Sequence, residues 1–155
     1  MIVYRVCTQE EYESLVNGIA VSELGAYFDF DTSLLNDHKY NNDEKYLHFF
    51  GEMGNIVFLG TLKDHYLCYY DIPNDLLDNN KGIGYYNEPG VIVKRFNIEE
   101  YAIPSNLIKF EYLVGISKIE QEIELDDYLD DPSLGSFLEH KYLKGIDNEL
   151  VKVIK

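Results

Sequence analysis

"IVYRVCTQEE", residues 2–11, is the stretch on which the fold turns. Its first six residues are β-branched or aromatic at most positions, the composition of a strand. "TQEE" then offers a capping box, with Thr8 as N-cap and Glu11 at the third helical position. The helix so opened places Tyr12, Leu15 and Val16 on one face and ends near Gly18. A strand that feeds directly into a helix is therefore the first expected unit. Within the strand, Val3, Arg5 and Cys7 point one way, and Ile2, Tyr4 and Val6 the other.

Arg5 is the unusual member of that strand. A guanidinium between apolar neighbours is expensive to bury unless an anion or a carboxylate meets it. Two readings follow. One is structural: an internal salt bridge, with Glu100 as acceptor, or a solvated arginine on an edge strand. The other is functional: a fork that grips a phosphate or ribose of a ligand.

Beyond residue 40, "NNDEKYLHFF" (41–50) passes from a polar loop into an apolar segment ending at Phe50. "NIVFLGTL" (55–62) and "HYLCYYDI" (65–72) read as neighbouring strands, with a helix starting in "HFFGEMGNIVFL" (48–59) as the alternative. Pro73 closes the second strand, and "NDLLDNN" (74–80) is a turn or a single helical turn. "KGIGYYNEPG" (81–90) reads as a loop, because Gly and Asn dominate it. "VIVKRF" (91–96), "EYAI" (100–103) and "FEYLVGISKI" (110–119) are further strand candidates, with a short helix start at "SNLI" (105–108). "EQEIELDDYLDD" (120–131) holds seven acids, and the chain reads as helical again after Ser133. No repeat or linker divides it. The expected fold class is α+β: a single domain over 1–155, mostly antiparallel strands with an early N-terminal helix and a C-terminal helix, the acidic region 119–155 being an appended element.

Charge narrows the function classes. Twenty-eight acids face 13 Lys plus Arg, a formal −15. Such a field repels phosphate backbones and anionic membrane surfaces, so bulk nucleic-acid binding and membrane association are not expected. It serves solubility, and it also suits docking on a basic partner. Fourteen tyrosines and no tryptophan suggest apolar walls whose tips need hydrogen bonds. The two cysteines, Cys7 and Cys68, lie far apart without a CxxC, and the first residues lack a signal-peptide pattern. No apolar run approaches the roughly 18 residues of a membrane span. A reduced, cytoplasmic setting with buried thiols is the expectation.

Familiar signatures fail on inspection. "DFDTSLLND" (29–37) has Asp29, Asp31 and Ser33 in alternation, but Leu34 and Tyr40 stand where a calcium loop needs Gly and Glu. "GIGYYN" (82–87) has Asn87 where a dinucleotide fingerprint needs its third glycine. The four histidines, 38, 48, 65 and 140, have no metal-ligand spacing, so no metal is expected. No GxSxG is present, and Cys7 has no base beside it in sequence.

Five residues remain as candidates. Arg5 is the anion fork. His48, in "YLHFF", is a core histidine or a hydrogen-bond donor to a ligand stacked on Phe49 or Phe50. Tyr85 and Tyr86, in "KGIGYY", offer flat faces with hydroxyl tips where glycines allow close approach. Glu100, in "IEEYAIP", is a carboxylate at the head of a strand, on the opposite face from Tyr101 and from Glu99.

The order of these features resembles the ADP-ribosyltransferase-like superfamily: an early strand with Arg, a middle aromatic segment, and Glu on a later strand. The resemblance implies an NAD-binding transferase or NAD glycohydrolase. Arg5 and His48 would anchor NAD, Tyr85 or Tyr86 would line the nicotinamide pocket, and Glu100 would contact the nicotinamide ribose as the catalytic carboxylate. "DTS" at 31–33 is only a fragment of that superfamily's Ser-Thr-Ser motif, and "EEY" lacks its Glu-x-Glu spacing. The series "YLHFF", "YYDIP", "GIGYY", "EEYAIP" also looks like a group of small proteins of bacteria and their phages over residues 2–117, a likeness that brings no activity with it. The competing expectation is a non-enzymatic acidic interaction protein, inhibitor or antitoxin-like, that binds a basic partner. A third is a regulatory domain whose Arg5 is permanently paired with a carboxylate.

Overall fold

A computed structural model describes residues 1–19, 35–41, 44–59, 62–87 and 95–120. They form one antiparallel six-stranded sheet with two helices, the expected α+β class. The elements in chain order are β1 (Ile2–Cys7), α1 (Gln9–Val16), β2 (Tyr46–Phe50), β3 (Tyr66–Asp71), α2 (Asn74–Asp78), β4 (Lys81–Asn87), β5 (Arg95–Pro104) and β6 (Leu113–Lys118). The strand order is β4-β5-β2-β1-β3-β6. The C-terminal helix expected after Ser133 lies outside the described residues.

The opening unit forms as its residues dictate. Thr8 accepts a hydrogen bond from the Glu11 amide at 3.2 Å, capping α1. At the other end, Gly18 takes φ +81°, its amide reaching Leu15 and that of Ile19 reaching Ser14. Those two bonds are a Schellman closure, which needs a left-handed residue and so favours glycine.

β1 lies between β2 and β3, so Arg5 is on an interior strand and the edge-strand reading falls away. One sheet face carries Val3, Cys7, Leu47, Phe49, Cys68, Tyr70, Tyr101 and Ile103, packed against Leu15 of α1 and Leu77 of α2. The other buries Val6, Phe50, Leu67 and Tyr69 against Met53 and Ile56.

Three local expectations change. "NIVFL" is not a strand: Met53–Leu59 is a 3₁₀ helix. Met53, Ile56 and Leu59 recur every three residues, the 3₁₀ period, and all three join the second core. "KGIGYYN" is not a loop but β4, paired with β5 from Lys81↔Tyr101 to Asn87↔Arg95. "RF" and "EYAI", expected as separate strands, run through one ten-residue β5. Among the described residues, no helix is long and apolar enough to cross a membrane.

Candidate functional site

Arg5 is met by a carboxylate, and the carboxylate is Glu11. Its Nε donates to Glu11 Oε1 at 3.3 Å and its Nη2 to Oε2 at 3.0 Å. The side chains are 2% and 0% exposed. The fork is thus used in full geometry by a residue six positions on, brought over the sheet by the first turn of α1. The same Glu11 that lends its amide to the Thr8 cap sends its side chain inward.

Glu100 belongs to the other face. Tyr4 pairs with Phe50, and Phe50 with Glu100, so these three share one side. Arg5, next to Tyr4, points to the opposite side. This corrects the expectation that Glu100 is the salt-bridge acceptor of Arg5: the sheet itself separates them. Glu100 instead neighbours His48, whose Nδ1 lies 3.8 Å from Glu100 Oε2, both side chains being buried. They are diagonal neighbours, since His48 pairs with Ala102.

His38, not singled out by the sequence, closes the nearby sheet edge. Its Nε2 lies 2.6 Å from the Ala102 carbonyl oxygen. An oxygen of that kind only accepts, so Nε2 carries the proton. Residues 35–38 meet the free edge of β4: Asn36 and Ile83 form an antiparallel bridge, exchanging amide–carbonyl bonds at 2.8 and 2.9 Å. Gly82 permits this, because a Cβ there would stand 2.7 Å from Leu35 Cβ and 2.9 Å from Asn36 O.

Tyr85 and Tyr86 lie on β4, their backbones paired with Asn97 and Phe96. Tyr85↔Asn97 lies three residue pairs along from Gly82↔Glu100, roughly 10 Å along the strands. The structure therefore brings His48 and Glu100 together, sets Tyr85 and Tyr86 further along, and holds Arg5 across the sheet.

Beside that stretch of β5 is a groove of about 370 Å³. Asn97, Glu99 and Tyr101 of β5 line it opposite Gly51, Glu52 and Asn55, which follow β2. Gly51 admits the Tyr101 ring, whose Cε2 would be 3.3 Å from a Cβ there. Glu99 also meets Lys81 Nζ at 3.1 Å, a hydrogen bond that raises the Lys81 ammonium above its usual range. Burial, and then the charge of Glu99, raise the Tyr101 hydroxyl. The groove presents two carboxylates, two amides and a phenol, a set that accepts hydrogen bonds from a cation. Apart from the strand alternation that separates Glu99 from Glu100, nothing local in the sequence marks it, because its two walls meet only through the β2–β5 register.

Among the described residues, no group of three His, Cys, Asp or Glu is arranged to hold a metal ion. The chain matches no protein-family model, no curated protein and no solved structure.

Proposed function

We propose that this chain is a non-enzymatic binding domain for a basic protein partner, one of whose lysine or arginine side chains enters the groove at the end of β2 and β5. The observation that carries this reading is the groove's lining, with Glu52 and Glu99 facing a space flanked by Asn55 and Asn97. A guanidinium or ammonium finds acceptors there, whereas a pyrophosphate meets the carboxylate of Glu52 and that of Glu99, the latter shared with Lys81. The formal −15 of the chain steers the same class of partner. The ADP-ribosyltransferase-like reading asks more of the molecule: Arg5 would have to leave Glu11, and one NAD would have to reach both faces of the sheet.

Calorimetry separates the two. An arginine-rich peptide is expected to bind, more weakly as salt rises and more weakly to a Glu52→Gln, Glu99→Gln variant, because screening and charge removal act on the same contacts. NAD is expected to give no heat. Binding of NAD with nicotinamide release that Glu100→Gln abolishes would instead establish the transferase or glycohydrolase reading.

A further inference from the structure

The chain has two cysteines, 61 positions apart, and the fold places their sulfurs in contact. Cys7 ends β1 and Cys68 lies on neighbouring β3, where it pairs with Arg5 while Cys7 pairs with Tyr66. The two are diagonal neighbours on the face beneath α1, both fully buried, with Sγ–Sγ at 3.5 Å. We propose that Cys7 and Cys68 are a peroxide-oxidisable dithiol that closes to an intrachain disulfide stapling β1 to β3.

Hydrogen peroxide is the oxidant. A cysteine thiolate attacks one oxygen of hydrogen peroxide, the O–O bond breaks, and hydroxide leaves with the thiol's proton as water. The resulting sulfenic acid is attacked by the second sulfur, the S–O bond breaks, and a second water leaves. The two thiols give up two electrons, and the peroxide is reduced to two waters. The resolving thiol is already in place, so the sulfenic acid is captured before further oxidation. Closing 3.5 Å to a bond of about 2 Å needs side-chain rotation and a small approach of the strands. A diagonal bridge of this kind is strained, which makes it reversible by a small thiol rather than permanent.

Access is through α1, which covers the pair with two buried residues, Glu11 and Leu15. In the closed protein the Cys7 thiol is held up by its contact with Cys68 and then by burial, which keeps it protonated and slow. Oxidation therefore proceeds through opening of the helix, and the staple then fixes β1 and β3 whether or not α1 is seated.

The test treats the whole chain with hydrogen peroxide in dilute urea, blocks remaining thiols with iodoacetamide, and maps peptides without reduction. The expected result is a linked Cys7–Cys68 peptide in monomeric protein, loss of both titratable thiols, and recovery of both with dithiothreitol. Sulfinic or sulfonic acid on either cysteine, a disulfide between two chains, or two fully alkylated thiols would each overturn it. The Cys68→Ser variant adds a second reading: without its resolving partner, Cys7 should give a dimedone-trappable sulfenic acid, and its failure to do so counts against the route. The wild-type map stands even if that variant does not fold.

Discussion

A guanidinium in the middle of an interior strand is tolerated only because a carboxylate arrives with matching geometry, and the identity of that carboxylate changes what Arg5 is for. Paired with Glu11 at 3.0 and 3.3 Å and sealed from solvent, it links the first strand to the first helix. Glu11→Ala leaves a buried charge without its counter-charge and is expected to cost about 3–5 kcal/mol. Arg5→Met combined with Glu11→Leu removes both charges and keeps the volume, so its stability should return to the parent's or exceed it. Urea denaturation of the three proteins decides this; a near-neutral Glu11→Ala would mean that the pair does not hold α1 to the sheet. The need for a partner was legible in "IVYRV", but its identity was not. Glu11 already had an assignment in the capping box, and a residue's side chain and amide can serve two different ends.

At the scale of elements, the helix was legible and the edge of the sheet was not. Thr8, Leu15 and Gly18 each act locally, so their spacing predicts α1 and its two ends. β4 misleads because its glycines look like loop residues. Gly82 is there for a contact from elsewhere in the chain: residues 35–38 meet the edge there and bond to Ile83, and no local pattern reports such an approach. Gly82→Ala should therefore be far costlier than the usual strand preference for alanine over glycine suggests. The added methyl meets Leu35 Cβ at 2.7 Å and backbone oxygen at 2.9 Å, so the strap must lift or β4 must bend. A loss of roughly 1–3 kcal/mol is expected, with amide exchange accelerated at Asn36 and Ile83. Unchanged exchange at those two amides would show that the strap is not held by that approach. The 3₁₀ segment carries the same lesson in milder form, since Met53, Ile56 and Leu59 announce a period of three that an alternating-strand reading passes over.

For the whole molecule, the order of strand-like and helix-like segments was enough for the class of fold, but only the strand register could say which candidate residues share a face. Arg5 and Glu100 are each legible as unusual; that they lie on opposite sides follows from Tyr4↔Phe50↔Glu100, a chain of long-range pairings with no trace in either segment. The buried polar groups on the α1 side of that sheet also set how stability responds to alkali. Contact with Cys68 and burial push the Cys7 thiol well above its ordinary 9.0, and burial pushes the Tyr70 hydroxyl well above 10.0. Burial raises Tyr66 and Tyr101 in the same direction. These groups are neutral when protonated, and the folded state holds their protons to higher pH than the unfolded chain does. Their contribution is therefore complete below about pH 9 and is lost as pH climbs from the ordinary values towards the raised folded ones, beginning at the ordinary 9.0 of a thiol and then at the ordinary 10.0 of a phenol. Urea midpoints measured from neutral pH to about pH 11 at constant ionic strength should fall from pH 9–10 upward. Tyr70→Phe isolates one source of the slope. The Tyr70 hydroxyl is buried without a hydrogen-bond partner among the described residues, so removing it should raise stability at neutral pH by about 1 kcal/mol. The same substitution deletes a group that must stay protonated in the core, so the fall above pH 10 should become shallower. A variant that is less stable at neutral pH and falls just as steeply would place the alkaline response elsewhere, with Cys7, Tyr66 and Tyr101 the other raised groups on that face.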